Sequence, residues 1–89
     1  MYLKRVFIQN KNKKMEKNDF IEKFEQIFDD VTPGTLNGST LFREIEEWNS
    51  LMALALIAMV DDEFNISLNG SDIRNSNTIE DLYNVINNK

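Results

Sequence analysis

The chain has 89 residues and a formal net charge of -5. That is enough for one domain with a thin stability margin, and too little for a large enclosed active site beside a core. It contains no cysteine and no histidine. Disulfides and thiolate metal sites are thereby excluded, and the commonest metal ligand and the commonest general base near neutral pH are missing.

The charge is unevenly spread. Residues 1–14 carry Lys4, Arg5, Lys11, Lys13 and Lys14 and no acid, whereas residues 15–89 carry five basic and fifteen acidic groups, a net of -10. An acidic body of this kind repels nucleic acid and anionic membranes and attracts basic protein partners. A nucleic-acid-binding role would have to rest on residues 1–14 alone, against the charge of everything that follows. Residues 1–14 read as a basic N-terminal extension, open to being a short strand, a frayed helix or a disordered arm. Met15 could equally be the start of the chain proper. Residues 15–89 form the expected domain.

The first helix is expected over residues 19–28. Phe20, Ile21, Phe24, Ile27 and Phe28 fall on one apolar stripe. Asn18 or Asp19 is suited to cap its start, and Asp29 and Asp30 oppose the dipole at its end. Pro33-Gly34 then punctuates the chain. Residues 31–48 form a long connection anchored by Val31, Leu36, Leu41, Phe42, Ile45 and Trp48, with room for a helical turn near 41–46. Those side chains call for burial, so the connection is expected to be ordered.

A second helix is expected over residues 50–63, with Asn49 as its cap. Residues 51–60 are apolar without interruption. Their Leu, Ala and Met content favours a helix over a strand. The run is about half the length needed to span a bilayer. A helix this apolar in so small a domain leaves some of its apolar surface exposed. Leu51 and Leu56 are expected to be structural, Met59 to be core, and Met52 to be the better surface candidate.

Phe64, Ile66 and Leu68 alternate with Asn65 and Ser67, which suggests a short extended stretch leading to a turn at Asn69-Gly70. Ser71 or Asp72 could open a very short helix through Arg74. Thr78 with Asp81 three residues later forms a capping box with Asp in place of Glu. Ile79, Leu82, Tyr83, Val85 and Ile86 supply the apolar face of the last helix. Tyr83, Phe20, Phe24 and Trp48 are most simply packing residues. No calcium-loop spacing is present, and a carboxylate-only metal site would need several acids converging on one point.

Ser50 stands out. It follows a cap residue and opens an apolar helix, where unsatisfied backbone N–H groups and the helix dipole favour a phosphate ester. Serine at a helix start is more often plain capping than a site of attachment, so the local signal alone is weak. The wider pattern is stronger. It runs from Thr40-Leu41-Phe42-Arg43-Glu44-Ile45-Glu46-Glu47-Trp48-Asn49-Ser50-Leu51 to Asp61-Asp62-Glu63-Phe64-Asn65-Ile66-Ser67-Leu68. Asp72-Ile73 and Thr78-Ile79-Glu80-Asp81-Leu82-Tyr83 follow. Over residues 15–89 this resembles the acyl carrier and peptidyl carrier family.

The resemblance implies an all-α fold, a small acyl-carrier-like bundle of three main helices and one short helix with a long ordered loop after the first. It implies 4'-phosphopantetheine covalently attached to Ser50 by a separate phosphopantetheinyl transferase. An acyl or aminoacyl group would then be held as a thioester for loading and transfer enzymes, and the carrier itself would catalyse nothing. Asn49, Leu51, Met52, Ala55, Asp61, Asp62 and Glu63 are the expected partner contacts. A cytoplasmic monomer without a membrane span is expected.

The chain departs from the family pattern twice. Asn49 replaces the usual Asp before the serine. Met52 and Ala55 stand where fatty-acid-synthesis carriers are acidic, which favours a specialised carrier over a housekeeping one. The alternative reading is an unmodified carrier-fold protein serving as an acidic interaction subunit, and Asn49 keeps it open.

Overall fold

The computed structural model describes residues 16–89. The expectations for residues 1–14, and the exact start of the domain, lie outside that range. Four helices make up the described chain: α1 (Lys17–Gln26), α2 (Ser50–Phe64), α3 (Gly70–Arg74) and α4 (Ile79–Asn87). A 3-10 turn, Phe42–Glu44, interrupts the long connection between α1 and α2. An isolated antiparallel bridge joins Leu41 to Thr78. The fold is a small all-α carrier-like bundle, as expected.

Spacing explains the face that α1 buries. Phe20, Phe24 and Phe28 recur every four residues and are all buried. Ile21 and Ile27 pack at the margin of the core. The helix starts two residues earlier than expected, and neither Asn18 nor Asp19 caps it. Glu16 holds the cap position without a side-chain bond, and Asp19 lies in the first turn, where an acid meets the positive end of the dipole. The helix also stops earlier. Ile27 and Phe28 turn inward on bonds to the carbonyls of Phe24 and Glu25, each at 3.2 Å, a tightened last turn that keeps Phe28 in the core.

α1 and α2 run antiparallel. Phe20 meets Phe64 at the far end of α2, whereas Phe24 and Phe28 meet Trp48 just before its start. Leu56 and Val60 are the α2 residues buried completely. The helix ends at Asn65, which adopts φ 57° and bonds back to Asp61 and Val60. Asn tolerates this left-handed stop better than most residues. Phe64 therefore belongs to α2, not to an extended segment. The inward-outward alternation survives in the irregular stretch beyond it, with Ile66 half-buried, Leu68 buried, and Asn65 and Ser67 exposed.

The Asn69-Gly70 pair is a helix start and not the expected turn. Asn69 accepts the N–H of Asp72 at 2.9 Å, and Asp72 returns the bond by accepting the N–H of Asn69 at 3.1 Å. That capping box opens α3 one or two residues before Ser71 or Asp72. The box at α4 is as expected: Thr78 accepts from Asp81, and Asp81 accepts from both Asn77 and Thr78. Ile79, Leu82 and Ile86 complete the core, and Tyr83 packs beside Phe20.

The long connection is held by contacts far apart in sequence. Its Pro33-Gly34 turn closes on a Thr35 to Thr32 bond of 3.2 Å. Gly34 sits at φ +88°, which glycine adopts without a Cβ penalty. Glu25 is buried on α1 and accepts the N–H groups of Gly34 and Leu36 at 2.9–3.1 Å. At the other end, the carbonyls of Gly38 and Thr40 receive the N–H groups of Glu80 and Ile79, two of the orphan donors at the start of α4.

Candidate functional site

Ser50 is the first residue of α2 and is exposed. Asn49 precedes it in extended conformation, and its Oδ1 accepts the Met52 N–H at 3.0 Å. The backbone N–H groups of Ser50 and Leu51 find no protein partner among the described residues. The first turn contains no acid. The Ser50 hydroxyl thus stands in solvent at the positive end of a fifteen-residue helix, with two donors free beside it. That donor set suits a phosphoryl group attached to the Ser50 oxygen, so these residues fit the expected arm.

The three residues leading into Ser50 are fixed in three different ways. Glu47 accepts the N–H groups of Asp29 and Asp30, one on each carboxylate oxygen, at 3.1 and 2.9 Å. Trp48 packs edge-on against Phe42 at 4.9 Å and stacks on Phe24 at 6.3 Å, which bears out its packing role. Asn49 caps the helix. Phe42 is itself fully buried, and Arg43 lies over its ring at 4.8 Å. The Arg43 guanidinium donates to the Ile73 and Arg74 carbonyls at 2.7 and 3.2 Å and to Asn77 at 3.4 Å. It therefore ties the approach to Ser50 to the end of α3.

The expected partner contacts fall in two groups on one helix. Asn49, Leu51 and Met52 surround the serine. Asp61, Asp62 and Glu63 are exposed at the opposite end, about 17–20 Å from the serine at the helical rise. Ala55 links them, and with Ala58, Met59 and the three acids it lines a shallow surface groove. Leu51 is 66% exposed and Leu54 63%. With Ala58 they form an apolar stripe at spacings of three and four residues. Leu51 is thus not the structural residue its apolar neighbours suggested, while Leu56 is. Met52 and Met59 are both half-buried, so the expected division into surface and core does not hold for them. Glu63 pairs with Lys23 at 3.3 Å.

Glu47, Arg43 and Glu25 were not singled out in the sequence. Each acts on backbone groups distant in the chain, and a charged residue in a polar stretch gives no local sign of such a partner. Among the described residues no helix is long and apolar enough to cross a membrane. No group of three or more acidic side chains there is placed to hold a metal ion.

The family model described as the phosphopantetheine attachment site matches residues 21–86. No curated protein and no solved structure matches the chain. The match runs from α1 through the Ser50 turn to the last buried residue of α4. The chain therefore belongs to the phosphopantetheine-binding carrier family, whose members hold 4'-phosphopantetheine on a serine and carry substrates for enzymes without acting on them.

Proposed function

We propose that residues 15–89 form a specialised carrier domain in which Ser50 takes the arm and presents an acyl or aminoacyl cargo to partner enzymes. The observation that carries this reading is the exposed Ser50 hydroxyl at the head of α2, inside the stretch that matches the family. When attached, the arm supplies the thiol on which cargo is held as a thioester. The chain's own part is to position the serine, leave its hydroxyl in solvent and offer a docking face.

That docking face is the exposed side of α2. Leu51 and Leu54 give it an apolar head beside the serine, and Asp61, Asp62 and Glu63 give it an acidic foot. A partner with an apolar socket and a basic rim complements it. Asn49, Met52 and Ala55 lie at the edges of the same surface. This departs from a carrier acidic along the whole helix and supports a specialised pathway, such as a dedicated fatty acid or polyketide route. We place the protein in the cytoplasm as a monomer.

Intact mass after co-expression with the transferase from the same genome tests the reading. A gain of one phosphopantetheine in the parent but not in Ser50→Ala is expected. A folded parent that gains nothing would leave the alternative, an unmodified acidic interaction subunit.

A further inference from the structure

We propose that Glu47 is a positioning residue for the loading of Ser50, an inference that rests on Ser50 being the attachment point. Glu47 lies three residues before the serine, and both its carboxylate oxygens are engaged by consecutive N–H groups, those of Asp29 and Asp30. These donors lie just beyond α1, in the segment that follows the buried Phe28. The clamp therefore ties the serine's approach to the segment that leaves α1.

Two features argue that the clamp serves geometry more than stability. Its hydrogen bonds are exposed. If the carboxylate were removed, water would satisfy both N–H groups, so the fold would lose little. A carboxylate there also sits among like charges, because Asp29 and Asp30 supply the donors and α1 ends alongside with its negative pole. The carboxylate gives each donor its own oxygen, whereas an amide has one oxygen to share between them. Trp48 and Asn49 fix the next two residues, and the Trp48 N–H bonds back to the Ile45 carbonyl at 2.9 Å; Glu47 adds the hydrogen bonds that hold this turn to the segment after α1. Without Glu47, the turn before the serine gains freedom, and the Ser50 hydroxyl samples more orientations. Misplacement of a reacting group by about 1 Å costs up to about 100-fold in rate.

The test compares the full chain with Glu47→Ala, Glu47→Gln and Glu25→Gln. Glu25 performs the same chemistry on the Gly34 and Leu36 N–H groups, away from the serine's approach. Loading from coenzyme A by a phosphopantetheinyl transferase is measured with kcat and KM resolved. Amide hydrogen exchange is measured on the unmodified proteins. Glu47→Ala is expected to lower kcat about tenfold with KM within about twofold, since the α2 docking face is untouched. Glu47→Gln, with one acceptor left, falls between, and Glu25→Gln loads like the parent. Exchange at the Trp48 and Met52 amides is expected to rise about tenfold in Glu47→Ala, with α4 amides unchanged.

Loading of Glu47→Ala at the parent rate, or equal slowing in Glu25→Gln, would overturn the proposal. A parent that takes no arm would overturn the attachment reading instead. In that case unchanged exchange at Trp48 and Met52 in Glu47→Ala would overturn the positioning role separately.

Discussion

Substituting Asn49 by Ala and by Asp separates two things that this position does at the head of α2. Asn49 is extended, at φ -160° and ψ -174°, and its Oδ1 accepts the Met52 N–H at 3.0 Å. Ala adopts that backbone without strain but leaves the donor to water. The loss of such a cap costs about 1 kcal/mol, which for a domain of this size lowers Tm by about 4–8 °C. Asp keeps the acceptor and adds a negative charge to a helix end whose first turn has none. The added dipole interaction is worth about 0.3–1 kcal/mol at low ionic strength and fades with salt. Thermal melts followed by circular dichroism should therefore rank Asn49→Asp at or above the parent and Asn49→Ala below it. The Asp advantage should close in high salt while the Ala deficit remains. An Ala variant that melts with the parent, or an Asp variant that melts below it, would refute the capping argument. Loading rates of the same proteins separate geometry from charge: if charge alone mattered at this position, Asn and Ala would load alike.

Other consequences can be checked as directly. Leu51→Asp with Leu54→Asp should change stability by less than about 1 kcal/mol, because both side chains are mostly exposed. The same pair should raise the KM for partner enzymes, read by steady-state kinetics. Arg43→Ala should cost about 1–2 kcal/mol in urea unfolding, since the carbonyls at the end of α3 lose their guanidinium donor. Arg43→Lys should not restore it, lacking the planar fork. Phe42→Ala should cost about 3–5 kcal/mol, enough to unfold much of the protein near 37 °C. Acid should destabilise in a defined window. Asp81 is held below its ordinary value of 3.8 by the Asn77 and Thr78 N–H groups, and Asp72 by the Asn69 N–H and by Lys89. Depressed folded-state values mean that their contribution is complete above about pH 4 and is lost as pH falls through the lowered values. Below pH 4, melts of Asp81→Asn should therefore show a shallower pH dependence than the parent.

Capping chemistry was the most legible part of the sequence. Asn49 before Ser50 and the Thr78-Asp81 box fixed the starts of α2 and α4, because an N-cap oxygen acts on a donor only two or three residues away. The same logic misled at α1, where Asn18 and Asp19 look like caps but lie inside the helix. It was missed at α3, where Asn69-Gly70 carries turn composition yet Asn69 caps. The unbroken apolar run of α2 hid which residues face solvent, since a run without polar gaps has no readable face. The exposure of Leu51 follows only from which side of α2 packs into the core. The loop could be expected to be ordered from its apolar anchors, but not how. Glu25, Glu47 and Arg43 reach across 9 to 31 positions to backbone groups, and no local pattern encodes such a partner.

Locating the arm on the chain tests the central claim most directly. Trypsin should release residues 44–74 as one peptide, and that peptide contains Ser50, Ser67 and Ser71. Mass alone cannot separate these serines. Fragmentation of this peptide after loading should place one phosphopantetheine on Ser50, and Ser50→Ala should yield the peptide unmodified. An arm found on Ser67, on Ser71 or outside the peptide, or a folded protein that its own transferase leaves bare, would contradict the account.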